Sequence, residues 1–513
     1  MRYALLIFLL AVGLSGILRG NGIFIQDERI EDELITNPDY DPNVPGSISY
    51  FINASFTVFW ENSWRISSGP SNWDGAYLFA RYRENGGPWK NLAQTTPYSN
   101  TGWASVNVPG GGMIVYPTAD RTGSVALGID WRGGIPDASF DPNATIDVRF
   151  YAVEMVWIPE ASYTLGTDVS ISLPTFGNTF FGRAGNLNFD PPAYRVNGEF
   201  EIPVGGTSGL NIAQNSASAG DNSGTLPAAY PKGYAGFWIM KYEVSQQQYV
   251  DFFNSLTPDQ QAALDPTGND GKGTNSTISR NGCSITDGVM NTSRSLVAMN
   301  YVNDRMMLAY LDWAGLRPVS ELEYEKAGRG IRPAVYGEYA WGTTGIASNT
   351  YTAVSLNAQA ERFTGASTTE GNALYSATTP IAGPARVGAI AASPASPGRV
   401  VTGASYYGVM DLSGNLREWT VSAGEAAGRA FQDQPGDYEL GPQGQAVPRG
   451  GSGGGPRWPQ PGQTAWALRG GAYNDAAAQL RLSDRTFGSV SHSQGTATVG
   501  FRGAIRSGLP TPQ

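Results

Sequence analysis

The fold of this chain is decided by one short stretch, Asp411-Leu412-Ser413-Gly414-Asn415-Leu416-Arg417-Glu418-Trp419. Four companion motifs accompany it along the chain. They are Met155-Val156-Trp157-Ile158-Pro159 leading to Leu165-Gly166, Phe237 to Glu243, Arg317 to Glu325, and Arg469-Gly470-Gly471 with Gly500-Phe501-Arg502. Five ordered motifs are much more specific than one short pattern standing alone. They indicate a single fold family for most of the chain.

Together the motifs resemble the formylglycine-generating enzyme, or sulfatase-modifying factor, family over roughly residues 151–506. The resemblance implies a loop-rich, C-type-lectin-like domain. With the strand-like segments that precede it, the expected fold class is α+β: an N-terminal antiparallel β-sandwich followed by the family domain. The expected organisation is a signal peptide at 1–20, the sandwich at 21–150, the family domain at 151–506 and a tail at 507–513.

The composition limits the possible functions. The chain has 513 residues, of which 41% are hydrophobic and 15% charged, with 66 glycines and 33 prolines. Such a composition favours a globular, turn-rich protein with substantial cores. The net charge is −10, and lysines and arginines never form a run longer than two. Nucleic-acid binding is therefore not expected, because it requires a basic surface.

The first residues indicate export. Arg2 supplies a positive start and Ala4 to Leu14 an apolar stretch short for a membrane span, as in a signal peptide. A retained membrane anchor is the alternative, because Ile17-Leu18 could lengthen the span. No later segment is apolar enough to cross a membrane. We expect a secreted protein, periplasmic or extracellular, including the cell surface. Cys283 is the single cysteine, which excludes an internal disulfide framework.

Residues 47–153 alternate between apolar and polar side chains in short segments separated by Gly, Pro and Asn. Segments such as Ala54 to Trp60 and Ala76 to Tyr82 are typical of antiparallel strands. The tryptophans between Trp60 and Trp131 are open to two interpretations. They form the core of the sandwich, which we favour, or a platform that stacks on carbohydrate.

Within the family domain, three helix starts are predicted from capping and periodicity. Ser245 with Gln248 and Ser320 with Glu323 form capping boxes, and apolar side chains from Val302 to Trp313 repeat at helical spacing. Clustered carboxylates at Glu321, Glu323 and Glu325 are explained by the helix dipole without catalysis. Residues 359–400 and 420–465 are expected to be surface insertions.

The turn at Asp411 to Glu418 offers two carboxylates and backbone carbonyls, the oxygen ligands that calcium prefers. The family resemblance implies a structural calcium ion held by Asp411, Gly414, Leu416 and Glu418. A metal-free turn held by carboxylate-to-backbone hydrogen bonds is the alternative. No catalytic or other cofactor-binding residues are assigned.

The family's enzymes use two cysteines, five positions apart, to bind copper and activate oxygen. The resemblance puts Ala478 and Ser483 at those two positions, and neither side chain can ligate copper. A related branch of the family needs several histidines for iron, whereas His492 is the single histidine here and is expected to be an exposed loop residue. Cys283 has no basic residue nearby in sequence beyond Arg280, and it is expected to be an inert or partly buried thiol rather than a nucleophile. Neither copper nor iron is expected.

The function expected from these observations is a non-catalytic binding or structural surface protein, since a fold does not transmit its chemistry. Loops around residues 474–499, with the sandwich, would contact protein, glycan or copies of the same chain. The alternative is a sulfatase-modifying-factor-type oxidoreductase, or a related enzyme, whose active site has moved.

Overall fold

The computed structural model of the protein describes residues 22–506, except for 32–33, 42, 45–46, 137–139, 167–181, 184–192, 206–208, 213–219, 222, 273–276, 394–397, 449–456 and 492–494. The predicted signal peptide at 1–20, the predicted tail at 507–513 and His492 lie outside the described residues.

Strands dominate the described part of the chain. In chain order they are β1 Ile23–Ile30, β2 Ile35–Thr36, β3 Tyr50–Arg65, β4 Asp74–Glu84, β5 Lys90–Asn91, β6 Ala93–Gln94, β7 Ser99–Asn100, β8 Trp103–Val108, β9 Gly112–Pro117, β10 Arg121–Ile135, β11 Ile146–Ile158, β12 Tyr163–Leu165, β13 Gly182–Arg183, β14 Tyr194–Val196, β15 Ile202–Pro203, β16 Leu210–Asn211, β17 Thr225–Leu226, β18 Phe237–Met240, β19 Cys283–Thr286, β20 Val289–Thr292, β21 Arg317–Pro318, β22 Thr352–Val354, β23 Arg362–Thr364, β24 Arg417–Val421, β25 Trp466–Arg469, β26 Phe487–Val490, β27 Val499–Gly500 and β28 Gly503–Ile505.

Helices are short and fewer. The α-helices are α1 Gln246–Phe253, α2 Pro258–Leu264, α3 Asp304–Trp313, α4 Glu321–Arg329 and α5 Ala426–Arg429, and 3₁₀ turns occur at Pro266–Gly271, Ile278–Arg280 and Ala477–Leu480. The expected α+β class is confirmed, with strands paired mainly in antiparallel sheets.

Two sheets form the N-terminal sandwich. The smaller has the order β1-β3-β10-β6 with β2 beside β3, and the larger has the order β21-β28-β18-β11-β4-β9-β8-β7 with β5 beside β4. On β4, Leu78 and Ala80 contribute to the core shared with the smaller sheet. Phe79 packs on the opposite face of the sheet, in a second core that includes α3. Its ring centroid is 5.2 Å from the ring centroid of Trp313. Both faces of the larger sheet are thus covered, which explains the unbroken burial of β4 from Asp74 to Tyr82.

Strand β11 joins the sandwich to the family domain. It pairs with β4 from Ile146 to Val156 and with β18 from Met155 to Ile158, both antiparallel. The expected boundary between residues 150 and 151 therefore falls inside a continuous strand, and the hydrogen-bonded ladder continues from one part of the chain into the other.

A buried ion cluster lies where these two parts meet. Lys241 Nζ, just after β18, is 2.9 Å from Glu154 Oε2 on β11 and 3.7 Å from Asp74 Oδ2 on β4. The Asp74 carboxylate also accepts hydrogen bonds from the Ser63 hydroxyl and the Trp64 N–H. Burial, the largest effect, raises the pKa of Asp74 to about 6.

The three predicted helix starts are present. Ser245 caps α1 and Ser320 caps α4, each with the reciprocal bond of a capping box. The Asn303 side chain caps α3 by accepting from the Met306 N–H at 3.0 Å.

The tryptophans of the sandwich are core residues. All of those between residues 60 and 131 are buried except Trp64, which is half-buried. The geometry therefore favours the core interpretation over a stacking platform. In the part of the chain that the structure describes, no helix has the length and apolar character to span a membrane.

Candidate functional site

The turn at Asp411 to Trp419 is held by backbone geometry that favours small side chains. Asp411, Gly414 and Asn415 all have positive φ, at 59°, 97° and 66°. A Cβ at Gly414 would lie 2.6 Å from the carbonyl oxygen of Leu374, so a larger residue would collide with backbone. The Gly414 N–H donates to the Gly470 carbonyl at 2.8 Å, which ties the turn to the Arg469-Gly470-Gly471 motif.

Glu418 is paired with an arginine. Its two oxygens accept from Arg502 Nε at 2.5 Å and Nη2 at 2.6 Å. The remaining Arg502 donors reach the carbonyls of Met240, Lys241 and Met410 at 2.9–3.1 Å. All five N–H donors of the guanidinium are therefore used. This pair joins β24 to the end of the β18 segment in the interior of the domain.

A third carboxylate, Glu243, completes the surroundings of the turn. Its Oε2 accepts from Asn415 Nδ2 at 2.6 Å, and its Oε1 accepts from the Leu416 N–H at 3.0 Å. Burial, then the charges of Asp411 and Glu418, raise the pKa of Glu243 well above its ordinary value. Glu243 ends the Phe237 to Glu243 motif, and no role for it follows from the sequence alone.

The four predicted calcium ligands lie in this one turn, but both of its carboxylates are already engaged by hydrogen bonds. Asp411 Oδ2 accepts from the Gly388 N–H at 2.7 Å, and both Glu418 oxygens accept from Arg502. A calcium ion needs six to eight oxygens, so it would have to share Glu418 with a guanidinium. Among the described residues, no group of three or more His, Cys, Asp or Glu side chains is arranged to hold a metal ion. The residues fit calcium incompletely, and the assignment stays a prediction.

The calcium prediction has a direct test. If the ion holds the turn, excess EDTA should lower the melting temperature by a few degrees, because a ligand at 100 times its Kd contributes about 2.7 kcal/mol. EDTA already saturated with calcium is the control. Asp411→Ala should remove the response to EDTA. An unchanged melting curve, with Asp411→Ala as stable as the wild type, would leave Arg502 as the sole partner of Glu418 at this turn.

The two positions assigned to the copper cysteines differ in environment. Ala478 lies in the 3₁₀ turn Ala477–Leu480 and is half-buried. Ser483 is buried, and its hydroxyl accepts from Arg329 Nη2 at 2.8 Å and lies 2.8 Å from Glu325 Oε1, to which it can donate. Ser483 is therefore held by an ion pair rather than presented to a substrate.

Ser483 belongs to a larger buried ion network on α4. The Glu321 oxygens accept from Arg485 Nε and Nη2, each at 2.8 Å, and Glu321 Oε1 also accepts from Arg469 at 3.0 Å. Glu325 pairs with Arg469 at 3.2 Å and with Arg329 at 2.6 Å. Burial acts to raise the pKa of Glu321, but the two arginines outweigh it and the pKa is lowered.

The interpretation of these α4 carboxylates as residues explained by the helix dipole was therefore incomplete. Glu321, Glu323 and Glu325 are all fully buried, and each accepts hydrogen bonds from arginine. The signal in the sequence was the set of arginines in the quoted motifs, Arg317, Arg469 and Arg502, each of which pairs with a buried glutamate.

Lys326 on the same helix provides a pH-dependent prediction. It is buried, with its Nζ donating to the Ala161 carbonyl at 2.7 Å, and burial lowers its pKa to about 7. Between pH 7 and 10 the unfolded chain therefore holds a proton that the folded chain has released. In that window this lysine makes the free energy of unfolding rise with pH, by up to about 1.4 kcal/mol per pH unit.

Lys326→Met should remove that rise when urea unfolding is followed from pH 7 to 10. The control is Lys90→Met, which removes a more exposed lysine paired with Glu84 and should leave the wild-type slope unchanged. Equal slopes in all three proteins would contradict the assignment.

The cysteine is separate from this network. Cys283 is buried on β19, and burial raises the pKa of its thiol to about 12. The thiolate is thus scarce at neutral pH, in line with the expected inert residue.

The comparison with known families agrees with these motifs. Residues 198–507 match the model of the sulfatase-modifying factor enzyme 1-like domain. The match covers more than half of the chain, so the protein belongs to this family. It starts later than the resemblance seen from residue 151 but includes every motif from Phe237 onward. No curated protein sequence matches this chain.

Proposed function

We propose that the protein is an exported, non-catalytic binding or structural protein built on the sulfatase-modifying-factor scaffold. The observation that carries this proposal is the environment of Ser483. At the position that the family resemblance gives to the second copper cysteine, a buried hydroxyl is engaged by Arg329 and Glu325. The single thiol of the chain is buried on β19 and has a raised pKa.

The expected partners are a protein, a glycan or copies of the same chain. Within the loops at 474–499, Asn474, Ala476 and Ser491 are exposed, whereas Leu480 and Arg485 are buried. Contacts made by these loops would therefore use their outer turns. Export rests on the apolar N-terminal segment, and the partner class rests on the low charge and loop-rich composition.

The catalytic alternative is tested on the purified protein. We expect no stoichiometric copper, no oxygen consumption and no aldehyde formation on a cysteine-containing peptide. Cys283→Ser is the matched control, since it removes the one thiol. Copper near one equivalent, or aldehyde formation, would overturn the proposal. If either survives in Cys283→Ser, the chemistry lies elsewhere in the chain.

The binding function is tested separately. If the partner is another copy of the chain, light scattering across a concentration series should show self-association. If it is not, a glycan array or a pull-down from the source should give a saturable partner, and that binding should be repeated with purified components. A strict monomer that binds nothing in either assay would leave the binding proposal without support.

A further inference from the structure

Two arginines lie against one tyrosine ring at the surface of the family domain. The guanidinium carbons of Arg332 and Arg399 are 5.5 Å and 5.2 Å from the centroid of the Tyr406 ring. The ring itself is fixed, because a Cβ at Gly330 would lie 2.0 Å from its Cδ1. The Tyr406 N–H also donates to the Gly328 carbonyl at 2.9 Å. Two guanidinium groups therefore lie near one packed ring.

The pair has no carboxylate partner among the described residues. In the described part of the chain, neither Arg332 nor Arg399 forms an ion pair. The Arg399 Nε is buried and finds no acceptor there, and its Nη2 has a long contact of 3.4 Å with the Ala340 carbonyl. Residues 394–397 are Pro-Ala-Ser-Pro, so they bring no acid to the site.

Among the described residues, the acid that acts on the charge of Arg399 is Glu338, which already has an arginine partner. Glu338 Oε1 is paired with Arg329 Nε and also accepts from the Val335 N–H at 3.3 Å. Burial, followed by repulsion from Arg332, lowers the pKa of Arg399 to about 10. Arg399 therefore stays charged at neutral pH beside a second arginine on the same ring.

A second arginine pair in the same chain has an internal carboxylate partner. Arg83 and Arg149 lie 4.7 Å and 4.5 Å from the ring centroid of Trp89. There, Arg83 Nε is 2.6 Å from Asp147 Oδ2, so the pair has an internal counter-ion. The stacking is alike at the two places, but within the described ranges no carboxylate is paired with the arginines at Tyr406.

We propose that Arg332 and Arg399, held against Tyr406, bind a divalent tetrahedral oxyanion, that is, a sulfate or phosphate group. Two guanidinium groups match two negative charges, and their forked donors suit the oxygens of such groups. A carboxylate would balance one charge. Because the chain carries a net charge of −10, binding depends on these local donors and should weaken as salt rises. This site is independent of whether the protein is catalytic.

Titration calorimetry in low-salt buffer tests the site, with sodium sulfate, sodium phosphate and a sulfated disaccharide as separate probes and sodium chloride as the blank. We expect saturable binding at one site per chain for at least one oxyanion probe. Arg332→Gln should weaken binding at least tenfold. Because Arg332 is exposed, this variant is expected to keep the fold, which its melting temperature in chloride will show. Arg399→Gln should have a similar effect.

Arg83→Gln is the matched control and should bind like the wild type, because it removes a stacked arginine that already has a counter-ion. Binding of the inorganic ions indicates a site for the free anion. Binding of the disaccharide alone, lost in Arg332→Gln, indicates that the same group is recognised as an ester on a larger ligand. The proposal would be overturned if none of the probes shows saturable binding. It would also be overturned if Arg332→Gln and Arg83→Gln lose affinity equally.

Discussion

Glu321→Gln is expected to lower the free energy of unfolding by about 3–5 kcal/mol, because it removes the carboxylate shared by two buried arginines. Arg485 loses its bidentate carboxylate, and Arg469 loses one of its two glutamate partners. All of these side chains are fully buried, so water cannot take over the lost interactions. Urea unfolding at neutral pH measures the loss.

Asp147→Asn is the control for Glu321→Gln. It breaks the pair with Arg83, whose side chains are 22% and 32% exposed, and should cost at most about 1 kcal/mol. A second variant tests the cause: Glu321→Leu combined with Arg485→Met removes the charges together and should cost less than Glu321→Gln alone. Losses of similar size in Glu321→Gln and Asp147→Asn would refute the role given to the network.

Lys241→Met is also expected to lower the free energy of unfolding by about 3–5 kcal/mol at pH 8. Lys241 lies at the junction of the sandwich and the family domain. Without Lys241, Asp74 and Glu154 would stay buried and lose the cation between them. The folded pKa of Asp74, already raised to about 6, would rise further because the lysine charge that lowers it is gone.

The cost of Lys241→Met should therefore shrink as the pH falls from 8 towards 6, and level off below 6, where Asp74 of the wild type also takes up a proton. The folded variant then takes up a proton on Asp74 that the unfolded chain, with a pKa near 3.8, does not yet bind. Urea unfolding at pH 8, 6.5 and 5 measures this trend, with Lys90→Met as the exposed control. A loss that is the same at all three pH values would show that the carboxylates are not what the lysine stabilises.

Local features of the structure could be predicted from the sequence. The starts of α1 and α4 follow from capping boxes, in which Ser245 and Ser320 bond to residues three positions away. The family resemblance, with the strand-like segments before it, likewise predicted the α+β class. The capping bonds join residues that are close in sequence, so the residue types at those positions are enough to predict them.

The ion network was not predicted, because its partners are distant in sequence. Arg485 lies 164 positions after Glu321, and Asn415 lies 172 positions after Glu243. A glutamate at the start of a helix looks the same in sequence whether it faces water or an arginine. The burial of both faces of β4 was missed for a similar reason: helix α3 covers one face and comes much later in the chain.

The continuous strand β11 has a consequence for anyone who wishes to express the family domain by itself. The region that matches the family model begins at residue 198, whereas β11 ends at Ile158. A fragment that begins at residue 198 would lack β11, which pairs with β18 through Met155 to Ile158. The backbone N–H and C=O groups on that edge of β18 would then be unpaired. Exposed strand edges recruit other chains, so such a fragment should aggregate. A soluble fragment has to include β11 and the strands that cover it.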